Sequence, residues 1–151
     1  MSTRTRTLRI ALVTEHDGWI ELTSPAASVD DVERLRVGAL SDAARLSAAA
    51  SRPTFLDIDV VLADSVNQAF LDFTDRHPDW YPGARSETIT HPGTSRTLAG
   101  LLWDIWAVGV ADGVTLRSAD TDAPITKVID EVLPILASRG LPLSFHTVSA
   151  A

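Results

Sequence analysis

Cysteine is absent from this sequence of 151 residues. Without a thiol, disulfide bonds, thiolate catalysis and cysteine-ligated zinc or iron–sulfur clusters are all excluded. A chain of this kind fits a reducing compartment, and we expect a cytoplasmic location. His77 and His91 lie outside any recognised metal-ligand spacing, so we expect no metal site either.

Lysine is nearly absent as well, since Lys127 is the only one in the chain. The net charge is −7. Nucleic-acid binding depends on clustered Lys and Arg side chains that displace counterions from phosphates. We therefore expect no nucleic-acid partner.

Long apolar runs are also missing, because no segment approaches the ~20 residues of a membrane-spanning helix. The apolar residues 8–13 are too few for the core of a signal peptide, and the acidic Glu15 and Asp17 follow closely. We expect no membrane association. The 45% hydrophobic and 22% charged content is typical of one globular domain over residues 1–151.

Four strand-like segments alternate with four helical patterns along the chain. The predicted strands are residues 8–13, 58–63, 86–91 and 110–116, of which 86–91 has the weakest pattern. Apolar residues spaced three or four apart predict helices within residues 30–50, 66–73, 94–108 and 125–139. Residues 14–24 are predicted to be a polar loop.

Local signals mark the ends of these helices. Ser28 or Asp30 can cap the first helix, and Ser65 with Gln68 can form a capping box for the second. Gly109 is a predicted C-terminal cap of the third helix. Pro134 should kink the fourth helix because proline lacks a backbone donor.

Alternation of strands and helices predicts an α/β fold with parallel strands joined by right-handed crossovers. Two architectures remain open at this point. Four β/α units can form a compact open α/β sandwich, a sheet covered on both faces, or they can be half of a TIM-like (β/α)8 barrel. A half-barrel exposes unpaired strand edges, so we expect a homodimer or a partner subunit that completes the barrel.

The last third of the chain carries a specific pattern. It reads Gly-Thr-Ser-x-x-Leu-Ala-x-Leu-Leu at 93–102, Gly-Val-x-Asp-Gly-Val-x-Leu at 109–116 and Val-Leu-Pro-Ile-Leu-Ala-Ser-Arg-Gly at 132–140. This resembles the C-terminal end of the luciferase-like flavin monooxygenases, nearest to the nitrilotriacetate monooxygenase type. Residues 56–65 look like the second strand of the same enzymes.

This resemblance implies a flavin-dependent monooxygenase acting on a small organic substrate. The flavin would be FMN, or in some branches the deazaflavin F420, lying across the C-terminal ends of the strands. A full TIM barrel takes ~250 residues. The central barrel segments are therefore missing here, and no phosphate site is recognisable. The alternative is a non-catalytic subunit or a small-ligand-binding oligomeric protein that has lost the flavin site.

The resemblance also implies roles for three residues. Asp64 would contact the flavin ring, and Thr14 and His16 would face flavin or substrate, with His16 as the catalytic base. A simpler interpretation is open for each position. Asp64 can serve only the start of the second helix, where a carboxylate is favoured by the helix dipole, and His16 can be solvated in its polar loop.

Arg117 is the only cation at a predicted strand end. It is the candidate for binding a flavin phosphate or a substrate carboxylate. The alternative is a surface ion pair with Asp120 or Asp122.

Trp103 and Trp106, three residues apart on the third helix, are predicted to be neighbours at a subunit interface.

Overall fold

The computed structural model describes residues 7–14, 18–23, 26–82, 84, 87–118 and 127–141. Over these ranges the protein is an α/β fold with six strands and four α-helices. The strands are β1 Arg9–Thr14, β2 Gly18–Glu21, β3 Glu33–Leu35, β4 Thr54–Leu62, β5 Ile89–Gly93 and β6 Gly113–Arg117. The helices are α1 Leu40–Ala49, α2 Val66–Arg76, α3 Ser95–Val108 and α4 Leu133–Ser138.

The strands form one mixed, mostly parallel sheet. Its order is β2-β1-β6-β4, and β3 and β5 share the remaining edge of β4. β3 pairs with the first residues of β4, and β5 pairs with the last five. Only β2 runs antiparallel to its neighbour, β1.

This strand order decides between the two predicted architectures. In a (β/α)8 barrel consecutive strands are neighbours, so β1 would pair with β4. Instead β6, the last of the described strands, lies between them and pairs with both. The open α/β sheet is therefore confirmed, and the half-barrel alternative does not describe the structure.

One face of the sheet carries the hydrophobic core. Ile10, Ile58 and Val114, from three adjacent strands, are fully buried on it. Helix α3 covers this face with Leu98, Leu102 and Ile105, and Val132 and Leu136 from the last helical segment join them. These belong to one continuous cluster. The apolar residues at alternate strand positions therefore face these helices, as the strand period of two requires.

The opposite face, called here the polar face, carries the alternate residues of the same strands. Three ion pairs cross it, joining Arg9 to Glu21, Arg34 to Asp57 and Arg117 to Asp59. Trp19 adds a hydrogen bond from Nε1 to Thr115 Oγ1 at 2.9 Å. Helix α2 lies beside β4 and β5 on this face. In a parallel sheet covered on both faces these strand positions would be apolar. On the polar face several of them carry charged side chains instead.

The first predicted helix is wrong over its N-terminal half. Ser28 does cap a helical turn, because its Oγ accepts a hydrogen bond from Asp30 N at 3.2 Å. That turn is only the 3₁₀-helix Val29–Asp31, and β3 follows it. The chain enters α1 at Leu40. Pairing of β3 with β4 overrides the helical spacing, and β-branched Val32 is compatible with an extended backbone.

The predicted loop at 14–24 also contains an element that was missed. β2 folds back on β1 and pairs Trp19 with Val13. Gly18 has φ of 66°, in the left-handed region where glycine is favoured. The dipeptide Asp17-Gly18 in the sequence is a hairpin signal, and it predicts the turn between β1 and β2.

The C-terminal helix changes its hydrogen-bond pattern just before Pro134, and the predicted kink there stays a prediction. A π-helical segment, Val128–Val132, runs directly into α4. Leu133 N donates to Val128 O, five residues back, rather than four. Pro134 has no backbone N–H, so the regular hydrogen-bond pattern cannot continue through it. Among the described residues, no helix is both long enough and apolar enough to cross a membrane.

Candidate functional site

A cleft on the polar face lies between α2 and the strands β4 and β5. Its main cavity has a volume of about 810 Å³, within the size range of small-molecule sites. Asp59, Thr88 and Thr90 line its sheet side. Phe70 and Phe73 from α2 line the opposite side. The cavity therefore has one polar and one aromatic wall.

The aromatic wall is held together by edge-to-face contacts. Trp80 packs against Phe70 and Phe73, with ring centroids 5.4 and 5.5 Å apart. Phe73 is buried, whereas Phe70 is 41% exposed. Phe70 is one of the apolar residues in the predicted helix 66–73, and its ring borders the cavity. This arrangement suits a flat ligand, because aromatic rings pair well in offset or edge-to-face geometry.

A smaller cavity of about 180 Å³ adjoins the first. Asp59, Arg76, His77 and Thr90 line both, and Arg117 and Ser118 line only the smaller one. Two arginines, one from the end of α2 and one from the end of β6, thus line one small space. The smaller cavity is the cationic end of the cleft.

The Arg117–Asp59 ion pair lies in this smaller cavity. Arg117 Nε is 3.8 Å from Asp59 Oδ1, and the two side chains are 33% and 36% exposed. Thr88 Oγ1 donates to the other carboxylate oxygen, Asp59 Oδ2, at 3.3 Å. The ion pair is longer than a charge-assisted hydrogen bond of about 2.7–2.9 Å. A ligand anion can therefore reach Arg117 without breaking a short contact.

His77 stands where the two cavities meet. Its ring stacks on Phe73 with centroids 4.6 Å apart. Its Nδ1 is 3.1 Å from Phe73 O, and a carbonyl oxygen only accepts hydrogen bonds. In the neutral ring Nδ1 therefore carries the proton, and Nε2 is left as an acceptor.

Of the residues that the sequence proposed for one site, the structure describes Thr14, Asp64 and Arg117. Arg117 is at the end of β6 in the cleft, and its partner there is Asp59. Asp120 and Asp122, its predicted alternative partners, lie outside the described residues. His16 lies outside them too, and Thr14 is the last residue of β1. The role proposed for His16 stays a prediction.

Asp64 lies in a different cavity, of about 540 Å³, at the start of α2 and α3. Its Oδ1 accepts a hydrogen bond from Lys127 Nζ at 3.1 Å, and its side chain is 99% exposed. In the same cavity Ser95 Oγ donates to Glu131 Oε2 at 2.5 Å. Asp64 and Arg117 thus line separate cavities, and a flavin contact of Asp64 stays a prediction.

His91 follows Thr90 on β5 but is not part of the cleft lining. Its Nε2 is 3.0 Å from Thr97 Oγ1, within the N-terminal capping box of α3. Burial lowers the pKa of His91. In the described residues no group of three His, Asp or Glu side chains is placed to hold a metal ion.

The sequence did not indicate Asp59, Arg76, Phe70 or Phe73 as site residues. Asp57-Ile58-Asp59 does alternate polar and apolar residues within an apolar strand, a pattern that predicts one polar face. That signal was present and unused. Arg76 reaches the cleft because α2 packs on β5, and its position in the sequence gives no sign of this contact.

Trp103 and Trp106 are neighbours on α3, as predicted, with ring centroids 5.0 Å apart. Both are partly buried and pack against the core cluster. Their place in a subunit interface stays a prediction.

Comparison of the chain with models of known protein families found no match, and comparison with curated proteins found none either.

Proposed function

We propose that this protein binds a flat, anionic small molecule in the cleft between α2 and the sheet, and that this ligand is a flavin such as FMN. The observation that carries the proposal is the arrangement of the cleft. An aromatic wall borders a cavity of about 810 Å³, and two arginines border its adjoining end. Such a site offers stacking for a ring system and charge for an anion.

The sequence resemblance supports the choice of flavin. The chain would be a short relative of the luciferase-like monooxygenases in which flavin binding persists in an open sheet. When bound, a flavin supplies redox chemistry, and the protein contributes orientation and electrostatics. We propose a ligand-binding role first, because Asp64 lies outside the cleft, and a monooxygenase activity would need His16 and Thr14 to face it as well.

Binding can be tested by titrating the protein with FMN and with riboflavin while following flavin and tryptophan fluorescence. Trp80 borders the main cavity, so we expect its emission to be quenched. Arg117→Gln should weaken FMN binding by roughly tenfold, as expected for loss of a charged hydrogen-bond partner. The control is Arg45→Gln, which removes an exposed arginine of α1 that pairs only loosely with Asp42.

Two results would contradict the proposal. FMN and riboflavin at millimolar concentration leaving the fluorescence and melting temperature unchanged would exclude flavin binding. Equal loss of FMN affinity in Arg117→Gln and Arg45→Gln would show that binding occurs outside the cleft.

A further inference from the structure

We propose that the smaller cavity holds the anionic head group of the ligand, that this group is a phosphomonoester, and that Asp59 competes with it for Arg117. The inference rests on the proposed ligand-binding role of the cleft and adds the chemistry of its cationic end. It follows from which groups line the smaller cavity and from the geometry of the Arg117–Asp59 pair.

The donors around the smaller cavity match a phosphate better than a carboxylate. Arg76 and Arg117 border it from two different elements, and the hydroxyl-bearing Thr90 and Ser118 lie at the ends of two strands. A phosphomonoester offers three terminal oxygens and a charge of −1.5 to −2 near neutral pH. A carboxylate offers two oxygens and one charge, so it leaves part of this donor set unused.

Within the part of the chain that the structure describes, Asp59 is the only carboxylate that lines the smaller cavity. It stands 3.8 Å from Arg117 and receives the Thr88 hydroxyl on its other oxygen. An arriving anion must take its place beside Arg117 and then lies next to a like charge. Asp59 thus lowers the affinity of the cleft for every anion, in proportion to the charge of that anion.

This proportionality provides a sharp test. Removing the charge of Asp59 changes the electrostatic potential at the head group by a fixed amount. The gain in binding free energy is therefore zero for a neutral ligand, and it is twice as large for a dianion as for a monoanion. In affinities, the factor gained by a dianion is close to the square of the factor gained by a monoanion.

The experiment uses three flavins with the same ring and the same side-chain length: riboflavin, its 5′-carboxylic acid and FMN. Dissociation constants are measured by fluorescence at pH 8, where the phosphate is dianionic, for the wild-type protein and for Asp59→Asn. We expect riboflavin to be unchanged, the carboxylate to bind at least about fivefold more tightly, and FMN to gain about the square of that factor. Asp59→Ser serves as a second variant with a smaller side chain.

The control variant is Asp79→Asn. Asp79 lines the main cavity but not the smaller one, so loss of its charge should change FMN affinity much less. In the wild-type protein, inorganic phosphate should compete with FMN and leave riboflavin binding intact. This measurement needs no variant, so the proposal is tested even if both Asp59 variants unfold.

Three outcomes would overturn the inference. FMN affinity that is unchanged or weaker in Asp59→Asn would show that Asp59 is a ligand partner and not a competitor. Equal gains for riboflavin and FMN would show an effect unrelated to charge. Failure of inorganic phosphate to displace FMN would place the head group elsewhere.

The failure of the proposed function looks different. In one outcome no flavin binds to any variant, but inorganic phosphate still raises the melting temperature and does so more in Asp59→Asn. This result would support a phosphate site in the smaller cavity and contradict flavin binding. If neither flavins nor phosphate bind to any variant, both proposals are wrong.

Discussion

Glu21 shows how a single buried side chain organises the first hairpin. Its side chain is fully buried and accepts two hydrogen bonds from Arg9, at 2.6 and 2.8 Å. Thr23 Oγ1 and Ala27 N donate to the same carboxylate at 2.5 and 2.8 Å. Every partner is a donor, so the ionised form of Glu21 is the one that this site stabilises.

The pKa of Glu21 is lowered as a result. Burial by itself would raise it, but the hydrogen bonds from Arg9, Thr23 and Ala27, together with the charge of Arg9, outweigh the effect of burial. The carboxylate therefore stabilises the folded state above the ordinary glutamate pKa of about 4.3. This contribution is lost as the pH falls through the lowered pKa of the folded state.

Glu21→Gln should cost about 2 kcal/mol of unfolding free energy at pH 7, because neutral glutamine cannot replace a carboxylate that accepts from several donors. The difference from the wild-type protein should shrink as the pH falls below about 4.3. Urea denaturation of both proteins at pH 7 and at pH 3 measures it. A difference that is equal at the two pH values would contradict the role given to the charge.

At the scale of single elements, the helix-end signals predicted the structure well. Ser65 Oγ accepts from Gln68 N at 3.1 Å, although the Gln68 side chain bonds to Asp72 and not back to Ser65. Gly109 ends α3 with φ of 78°, as a left-handed C-terminal cap. These signals succeed because each involves residues within one or two turns of each other.

Two glycines of the α3 region should respond to alanine in opposite directions. Gly100 lies inside α3, and a Cβ there would meet no atom within 4 Å. Gly100→Ala should therefore stabilise the protein by about 0.5–1 kcal/mol, the usual difference in helix propensity. Gly109→Ala should destabilise it by about 1 kcal/mol, because alanine disfavours the left-handed conformation.

Thermal and urea denaturation of the two variants provides the measurement, and each serves as the control for the other. Destabilisation by Gly100→Ala would mean that the exposed side of Gly100 has a partner in solution. Such a result would favour the predicted subunit interface on α3, where Trp103 and Trp106 also lie.

At the scale of the whole molecule, the strand order is the main finding. β6 pairs with β1 on one side and β4 on the other, although it is the last of the strands in the described residues. Gly113 allows this close packing, since a Cβ there would come within 2.6 Å of Arg9 O and 2.8 Å of Phe55 Cε2. Asp112, just before β6, also links β6 to β4, because its Oδ2 accepts a hydrogen bond from Thr54 N at 2.8 Å.

The central position of β6 makes a prediction for hydrogen exchange. Amides of Val114, Thr115 and Leu116 should exchange only through global unfolding, because neighbouring strands protect both edges of β6. Amides of the edge strand β2 should exchange faster. Exchange followed by NMR or mass spectrometry tests this. Rapid exchange in β6 would mean that it lies at a sheet edge, as in the half-barrel.

The sequence by itself determined the α/β class, four of the six described strands, the N-terminal cap of α2 and the C-terminal cap of α3. It did not determine β3, because the apolar spacing of residues 32–39 is equally compatible with a helix, and only pairing with β4 selects the strand. It placed Arg117 at a strand end but did not reveal its partner.

Tertiary structure alone decided the strand order and the cleft. Asp59 and Arg117 meet because β4 and β6 pair in register, and Arg76 and Trp80 join them because α2 packs on β5. These contacts connect residues far apart in the chain, and their selection depends on which strands and helices bury the most apolar surface together. Periodicity and caps report only on neighbours within a few residues, so they contain no information on such pairings.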